Sequence, residues 1–67
     1  MLIIKWMLPH ERKEVGVFGL NSEEIAADEV LRGAGILPFA SWKFDAAKLP
    51  QAVAVLRFHG FEVEVEE

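Results

Sequence analysis

The chain ends in a stretch where apolar and acidic residues alternate strictly, Phe61-Glu62-Val63-Glu64-Val65-Glu66-Glu67. A period of two residues is typical of a β-strand, with the apolar residues on one face and the glutamates on the other. The pattern therefore predicts a strand that closes a hydrophobic core with one face and presents a row of carboxylates with the other.

The N-terminal third carries two β-rich runs. Strands are predicted over 2–7 and 14–19, joined as an antiparallel hairpin by a short charged loop. Pro9 ends the first strand because proline cannot donate to a ladder. Gly16 and Gly19 weaken the second strand and indicate a bulge or a close approach of another group.

A first helix is predicted to begin at Asn21. Glu24, three residues on, would complete a capping box with Asn21, and Leu20 would pack on Ile25 as a hydrophobic staple. Four residues at helical spacing form the predicted buried stripe, namely Ala27, Val30, Leu31 and Ala34. One of two glycines supplies the positive φ that ends the helix, Gly33 or Gly35.

The second half repeats the strand–helix pattern. A strand is predicted over 39–44, with Ala40, Trp42 and Phe44 on one face. After a turn, Pro50 occupies the first turn of a second helix, where its missing N–H costs nothing. The buried face of this helix comprises Leu49, Ala52, Val53 and Leu56. Gly60 ends it, and the acidic strand follows.

These elements predict one domain, residues 1–67, of the α+β class. The expected architecture is a small mixed four-stranded sheet with two helices packed on one face, in the order ββαβαβ. Because a helix supplies a crossover connection, the strands on either side of the second helix are expected to be parallel or near neighbours.

Composition limits the setting in which the protein works. The chain contains no cysteine, which excludes disulfides and thiolate metal sites and agrees with a reducing cytoplasm. The apolar start, MLIIKWML, is too short to span a bilayer. We therefore expect a cytoplasmic protein with no membrane partner.

Charge is segregated along the chain. The net charge is −4, yet residues 21–31 and 61–67 each carry four acids and no base, which leaves three acids and all seven bases elsewhere. Acidic stretches of this kind argue against phosphate binding through those segments, since phosphate contact requires clustered Lys and Arg. The simplest interpretation is that they are solvated faces that keep a small apolar protein soluble.

No residue pattern indicates catalysis. Ser22 belongs to the helix start, and Ser41 lacks the Gly-x-Ser-x-Gly turn of a hydrolase nucleophile. His10 and His59 have no second ligand at metal-binding spacing, and no glycine-rich phosphate loop is present. The sequence predicts a protein that is not an enzyme and has no cofactor or metal.

The leading hypothesis is therefore a non-catalytic module whose acidic face binds a basic surface of another protein. Phe58 and Ile25 lie far from the predicted buried faces of their helices. An exposed aromatic anchor beside acids is what partner surfaces use. The candidate partner-binding residues are Glu24, Asp28, Phe58, Glu62, Glu64 and Glu66.

In size, acidity, lack of cysteine and lack of catalytic motifs, the chain resembles phage-encoded inhibitors, including anti-CRISPR proteins. That resemblance implies an inhibitor, and a row of carboxylates would then imitate a nucleic-acid backbone. It is a resemblance of type, and no motif transfers a residue role.

Nucleic-acid binding is an alternative. Trp42-Lys43-Phe44, Leu49-Pro50, Ala52, Leu56 and Gly60-Phe61-Glu62-Val63 resemble the second half of HARP-like domains, small α+β modules attached to some DNA-remodelling helicases. The resemblance spans roughly residues 39–65, and the hairpin expected before Trp42 is missing. It implies DNA binding through basic residues and tryptophan. The basic residues and candidate stacking rings are Lys5, Trp6, Arg12, Lys13, Trp42, Lys43, Lys48 and Arg57.

Self-association is the other alternative, because an unpaired edge strand pairs with a second copy unless charge blocks it. A homodimer would bury apolar surface that so small a chain exposes. If the edge instead stays unpaired, Glu62, Glu64 and Glu66 are the charges that block pairing.

Overall fold

The computed structural model describes residues 1–8, 10–38 and 42–66. In chain order the elements are β1 (Leu2–Trp6), β2 (Glu14–Phe18), α1 (Asn21–Gly33), β3 (Lys43–Asp45), a 3-10 helix (Ala46–Lys48), α2 (Leu49–Phe58) and β4 (Val63–Glu66). This is the predicted α+β fold with a mixed four-stranded sheet and two helices in the order ββαβαβ.

The strands lie in the order β3-β2-β1-β4. β1 and β2 form the predicted antiparallel hairpin, β3 is antiparallel to β2, and β4 is parallel to β1. The strands on either side of α2 therefore run in the same direction, as expected. They are not neighbours, because β1 and β2 separate them, and β3 and β4 form the two edges.

One face of the sheet packs against both helices. The register aligns Leu2 with Val63 and Ile4 with Val17, and all four side chains are buried. The helices contribute buried residues at helical spacing: Ala27 and Leu31 from α1, and Ala52 and Leu56 from α2. The predicted core stripes are confirmed, with Leu49, Val53, Val30 and Ala34 half-buried around them.

Both helices end in the same way. Gly35 after α1 and Gly60 after α2 adopt positive φ, +83° and +91°. In each case the next residue donates its N–H to the carbonyl five positions back: Ile36 to Leu31 and Phe61 to Leu56. This is the Schellman pattern, in which a left-handed residue lets the chain turn back and satisfy the last carbonyls. Gly35, not Gly33, is the residue that ends α1.

The start of α1 differs from the prediction. Leu20, not Asn21, is the N-cap residue, and Glu23 accepts a hydrogen bond from the Leu20 N–H at 3.1 Å. Only this half of a capping box forms, because a leucine side chain has no acceptor atom. Leu20 and Ile25 are 72% and 47% exposed, so the predicted staple buries little apolar surface.

β3 is shorter than the predicted strand 39–44. Trp42 has a φ of +59°, which is incompatible with an extended strand, so regular pairing starts at Lys43. Residues 39–41 and Pro9, on which the sequence predictions also depended, lie outside the described residues. The predicted turn after β3 is the 3-10 helix, where the Asp45 carboxylate accepts a hydrogen bond from the Ala47 N–H at 2.8 Å.

Candidate protein-interaction surface

Within the part of the chain that the structure describes, no helix packs on the second face of the sheet, which we call the open face. It presents the residues that alternate with the core positions, including Ile3 and Lys5 of β1, Phe18 of β2, Lys43 of β3 and Glu64 of β4. A sheet with antiparallel pairs can leave one side in contact with solvent. Glu64 of β4 therefore shares the open face with the apolar side chains of Ile3 and Phe18.

Glu64 and Glu66 are exposed on the open face, while Val63 and Val65, which alternate with them, face the core. Glu62 precedes the strand and is exposed too. It alternates with Phe61, which packs on the core. These three glutamates are called the carboxylate row. Glu64 and Glu66 lie on an edge strand and are directed away from the helices, as the alternation predicted, and Glu62 directly precedes that strand.

Partly exposed apolar side chains lie beside the carboxylate row. Ile3 pairs with Glu64 on one side and with Phe18 on the other, and Phe18 is 38% exposed. The Lys5 ammonium lies 5.5 Å from the centre of the Phe18 ring, within the range of a cation–π contact. The open face thus combines an aromatic group, a β-branched group and carboxylates on adjacent strands.

At the centre of the open face, side chains of neighbouring residues cover the backbone of Gly16. A Cβ at Gly16 would lie 2.6 Å from the Met7 Sδ atom and 3.0 Å from a ring carbon of Phe18. Two side chains therefore cover the backbone at this point, which confirms the close approach predicted for a glycine in β2. Their packing gives the open face a small hydrophobic centre of its own.

Glu24 and Asp28, two of the predicted site residues, belong to α1 and lie on the helix side of the sheet. The Glu24 carboxylate accepts a hydrogen bond from the Gly19 N–H at 3.0 Å. Asp28 is paired with Arg32 at 2.8 Å. Both carboxylates also line a small apolar pocket with Trp42 and Phe44. Each is thus engaged within the molecule, and the structure does not join them to the carboxylate row.

Glu23, which was not among the predicted site residues, forms an ion pair with the amino group of Met1. Its carboxylate lies 2.7 Å from the Met1 ammonium nitrogen. The hydrogen bond from that ammonium group, then the one from the Leu20 N–H, lowers the pKa of Glu23 below its ordinary value of 4.5. This residue stabilises the junction between β1 and α1.

Phe58 is 85% exposed, so its ring lies outside the hydrophobic core. Its ring makes an edge-to-face contact with His59, with ring centres 5.6 Å apart. Together they line an open groove between the two helices, with Val30 and Val55 among its other residues. Phe58 is therefore an exposed aromatic group in the helix layer, whereas Glu64 and Glu66 lie on the open face of the sheet.

Three of the seven basic residues lie near the β3 edge. Lys43 lies in β3, Lys48 in the 3-10 helix, and the Lys13 carbonyl accepts the Ala46 N–H at 2.9 Å. Three acids occupy the same end of the sheet and its loop, namely Glu11, Glu14 and Asp45. The Arg12 guanidinium lies 4.6 Å from the centre of the Trp6 ring and covers it. Trp42 packs on the core.

Over the described ranges, no group of three His, Cys, Asp or Glu residues is placed to hold a metal ion. No helix within those ranges is long and apolar enough to cross a membrane. Comparison with protein-family models, with curated proteins and with solved structures gives no match to this chain.

Proposed function

We propose that this chain is a small, non-catalytic interaction module that binds a basic surface of another protein through the open face of its sheet along β4. The observation that supports this proposal most strongly is the position of the carboxylate row on an exposed edge strand. Val63 and Val65 of the same strand serve the core, so folding does not require Glu62, Glu64 or Glu66 to be acidic.

The neighbours of the carboxylate row support a binding role over a purely solubilising one. Protein interfaces combine an apolar or aromatic centre with a polar rim. Ile3 and Phe18 supply apolar area next to Glu64. A basic partner with one apolar group could use both elements of this surface.

An inhibitor is the more specific form of this proposal. Carboxylates at regular spacing on a strand can imitate the charge of a nucleic-acid backbone, and the target would then be a nucleic-acid-binding protein. The resemblance in type to phage-encoded and anti-CRISPR inhibitors supports this form, as does the acidic net charge.

DNA binding at the β3 edge is the second candidate, because Lys13, Lys43 and Lys48 lie at that end of the molecule. Two observations weigh against it. Acids are interspersed among these lysines, which reduces the local positive potential. The tryptophans also offer little free ring surface, since Arg12 covers Trp6 and Trp42 packs on the core.

The proposal is tested by affinity capture from cells of the source organism, with wild-type protein and Glu62→Lys/Glu64→Lys as baits. Lys5 is aligned with Glu66 in the pairing of β1 and β4. Neither substitution therefore places a new lysine directly opposite Lys5. We expect wild type to enrich proteins with basic surfaces and the double variant to lose them. Salt-sensitive binding of the purified partner should accompany this loss.

The matched control is Glu11→Lys/Glu29→Lys, which changes the net charge by the same amount at two exposed positions outside β4. This variant should retain the captured proteins. Equal capture by both double variants would contradict the proposal. Salt-sensitive retention of wild type on heparin or DNA would support the β3-edge alternative instead.

A further inference from the structure

The backbone of β4 has one edge that no described strand pairs. The Leu2 N–H donates to the Glu62 carbonyl at 2.8 Å, and Leu2 is aligned with Val63. In a parallel ladder, alternate residues of a strand direct both backbone groups to the same side. Glu62, Glu64 and Glu66 therefore direct their backbone groups to β1. Val63 and Val65 direct theirs to the free edge.

Arg57 confirms this direction and occupies part of the edge. Its Nη2 atom donates to the Val63 carbonyl at 3.0 Å from the last turn of α2. That leaves the Val63 N–H and both backbone groups of Val65 directed outward. A row of unpaired backbone groups on an edge strand is a template for another strand.

Charge decides which strand the edge can accept. A second copy of β4 would place glutamates opposite glutamates, and like charges directly across a strand pair are destabilising. A strand with lysine or arginine at alternate positions would place opposite charges beside the carboxylate row. Its intervening side chains would lie on the helix side next to Val65, which is only half-buried.

We propose that the free edge of β4 accepts an extended basic segment of a partner protein, which joins the sheet as an additional strand. This inference rests on the proposed function and specifies how the partner binds. Main-chain hydrogen bonds to Val63 and Val65 supply affinity, and the alternation of basic and apolar side chains supplies specificity. Arg57 competes for the Val63 carbonyl and so limits pairing with unsuitable strands.

The test uses the full chain, labelled with ¹⁵N, and a synthetic peptide of about seven residues in which lysine and valine alternate, long enough to pair along the whole of β4. Amide hydrogen exchange is measured with and without the peptide. At saturation, the Val63 and Val65 amides should exchange at least tenfold more slowly. The Glu64 and Glu66 amides already bond to β1 and should change little.

Two peptide variants separate backbone pairing from charge attraction. N-methylation of the residues that face β4 should weaken binding about tenfold, since each net hydrogen bond contributes about 1 kcal/mol and 1.4 kcal/mol is a factor of ten. N-methylation of the peptide residues that face away from β4 should weaken binding much less. Equal effects of the two sets would overturn the inference.

Arg57→Ala provides an independent readout on the protein side. Freeing the Val63 carbonyl should tighten peptide binding about fivefold, the equivalent of one net hydrogen bond. Lys48→Ala removes the same charge from another exposed position and should tighten peptide binding less. Equal effects of the two substitutions would mean that only charge matters, which contradicts strand addition.

Failure of this inference differs from failure of the proposed function. Unprotected Val63 and Val65 amides, or no peptide binding at all, would overturn strand addition. The proposed function would stand if Glu62→Lys/Glu64→Lys still lost its protein partner. If Glu62→Lys/Glu64→Lys captured the partner as well as wild type does, the proposed function itself would be wrong.

Discussion

Two glycines near the end of α1 have equally open surroundings but different backbone conformations. A Cβ at Gly33 or at Gly35 would meet nothing within 4 Å, yet only Gly35 has positive φ. From the sequence either glycine could end the helix, because the two flank Ala34, the last residue of the predicted buried stripe. The choice depends on Ile36, which becomes buried only when the chain turns at Gly35.

Gly33→Ala should therefore stabilise the protein by about 0.5–1 kcal/mol, because alanine lowers the entropy cost of the helix. Gly35→Ala should destabilise it by about 1 kcal/mol, because a Cβ is strained in the left-handed region. Urea denaturation of the two variants measures both values. Effects of the same sign would contradict the assigned helix end.

Glu23 should make stability depend on pH. Its pKa is lower in the folded state than in the unfolded chain because the Met1 ammonium group and the Leu20 N–H favour the carboxylate. The stabilisation is therefore fully present above the unfolded value near 4.5 and is lost as the pH falls through the folded value. Glu23→Gln should lower the thermal midpoint at neutral pH, and this difference should vanish in acid.

Acetylation of the Met1 amino group tests the assigned cause. It removes the ammonium charge, the larger of the two influences, and should shrink the effect of Glu23→Gln at neutral pH. Glu11→Gln, at an exposed loop position, is the control substitution. If the thermal midpoints of wild type and Glu23→Gln differed by the same amount at every pH, this account would be contradicted.

At the scale of elements, β4 is the part of the chain that sequence reasoning predicted best. Strict alternation fixes which residues of a strand face the core, and Val63 and Glu64 lie as predicted. β3 was predicted least well because its alternating residues did not reveal the left-handed conformation of Trp42. Tertiary packing, not local preference, sets such a conformation.

Neutralising the carboxylate row should promote self-association. In Glu64→Gln/Glu66→Gln, the free edge of β4 would keep its outward backbone groups and lose the charge repulsion between two copies. Sedimentation should show a monomer for wild type and a concentration-dependent dimer for the variant. The Glu11→Gln/Glu29→Gln control should stay monomeric, and a wild-type dimer would contradict the blocking role of these glutamates.

For the whole molecule, the fold class followed from the order of elements, but the order of strands in the sheet did not. Placing β4 beside β1 depends on pairing between residues about sixty positions apart, such as Leu2 and Val63. No local pattern encodes that contact. Glu64 and Glu66 lie on the open face because they alternate with core residues, whereas Glu24, Asp28 and Phe58 belong to the helices on the other face. The predicted site therefore separates into distinct surfaces.

The role of Arg57 could not be predicted either. Its contact with the Val63 carbonyl requires the C-terminal turn of α2 to lie next to the free edge. The sequence shows a basic residue near a helix end, which ordinarily indicates only a favourable interaction with the helix dipole. The open-face neighbours Ile3 and Phe18 were missed for the same reason, since they meet Glu64 only through strand pairing.

The central claim is that the carboxylate row serves binding and is dispensable for folding. The most direct test measures partner capture by Glu62→Lys/Glu64→Lys, with the free energy of unfolding determined on the same sample. We predict loss of the captured partner with stability within about 0.5 kcal/mol of wild type, as for other exposed substitutions. Retention of the partner, or loss that accompanies unfolding, would contradict the claim.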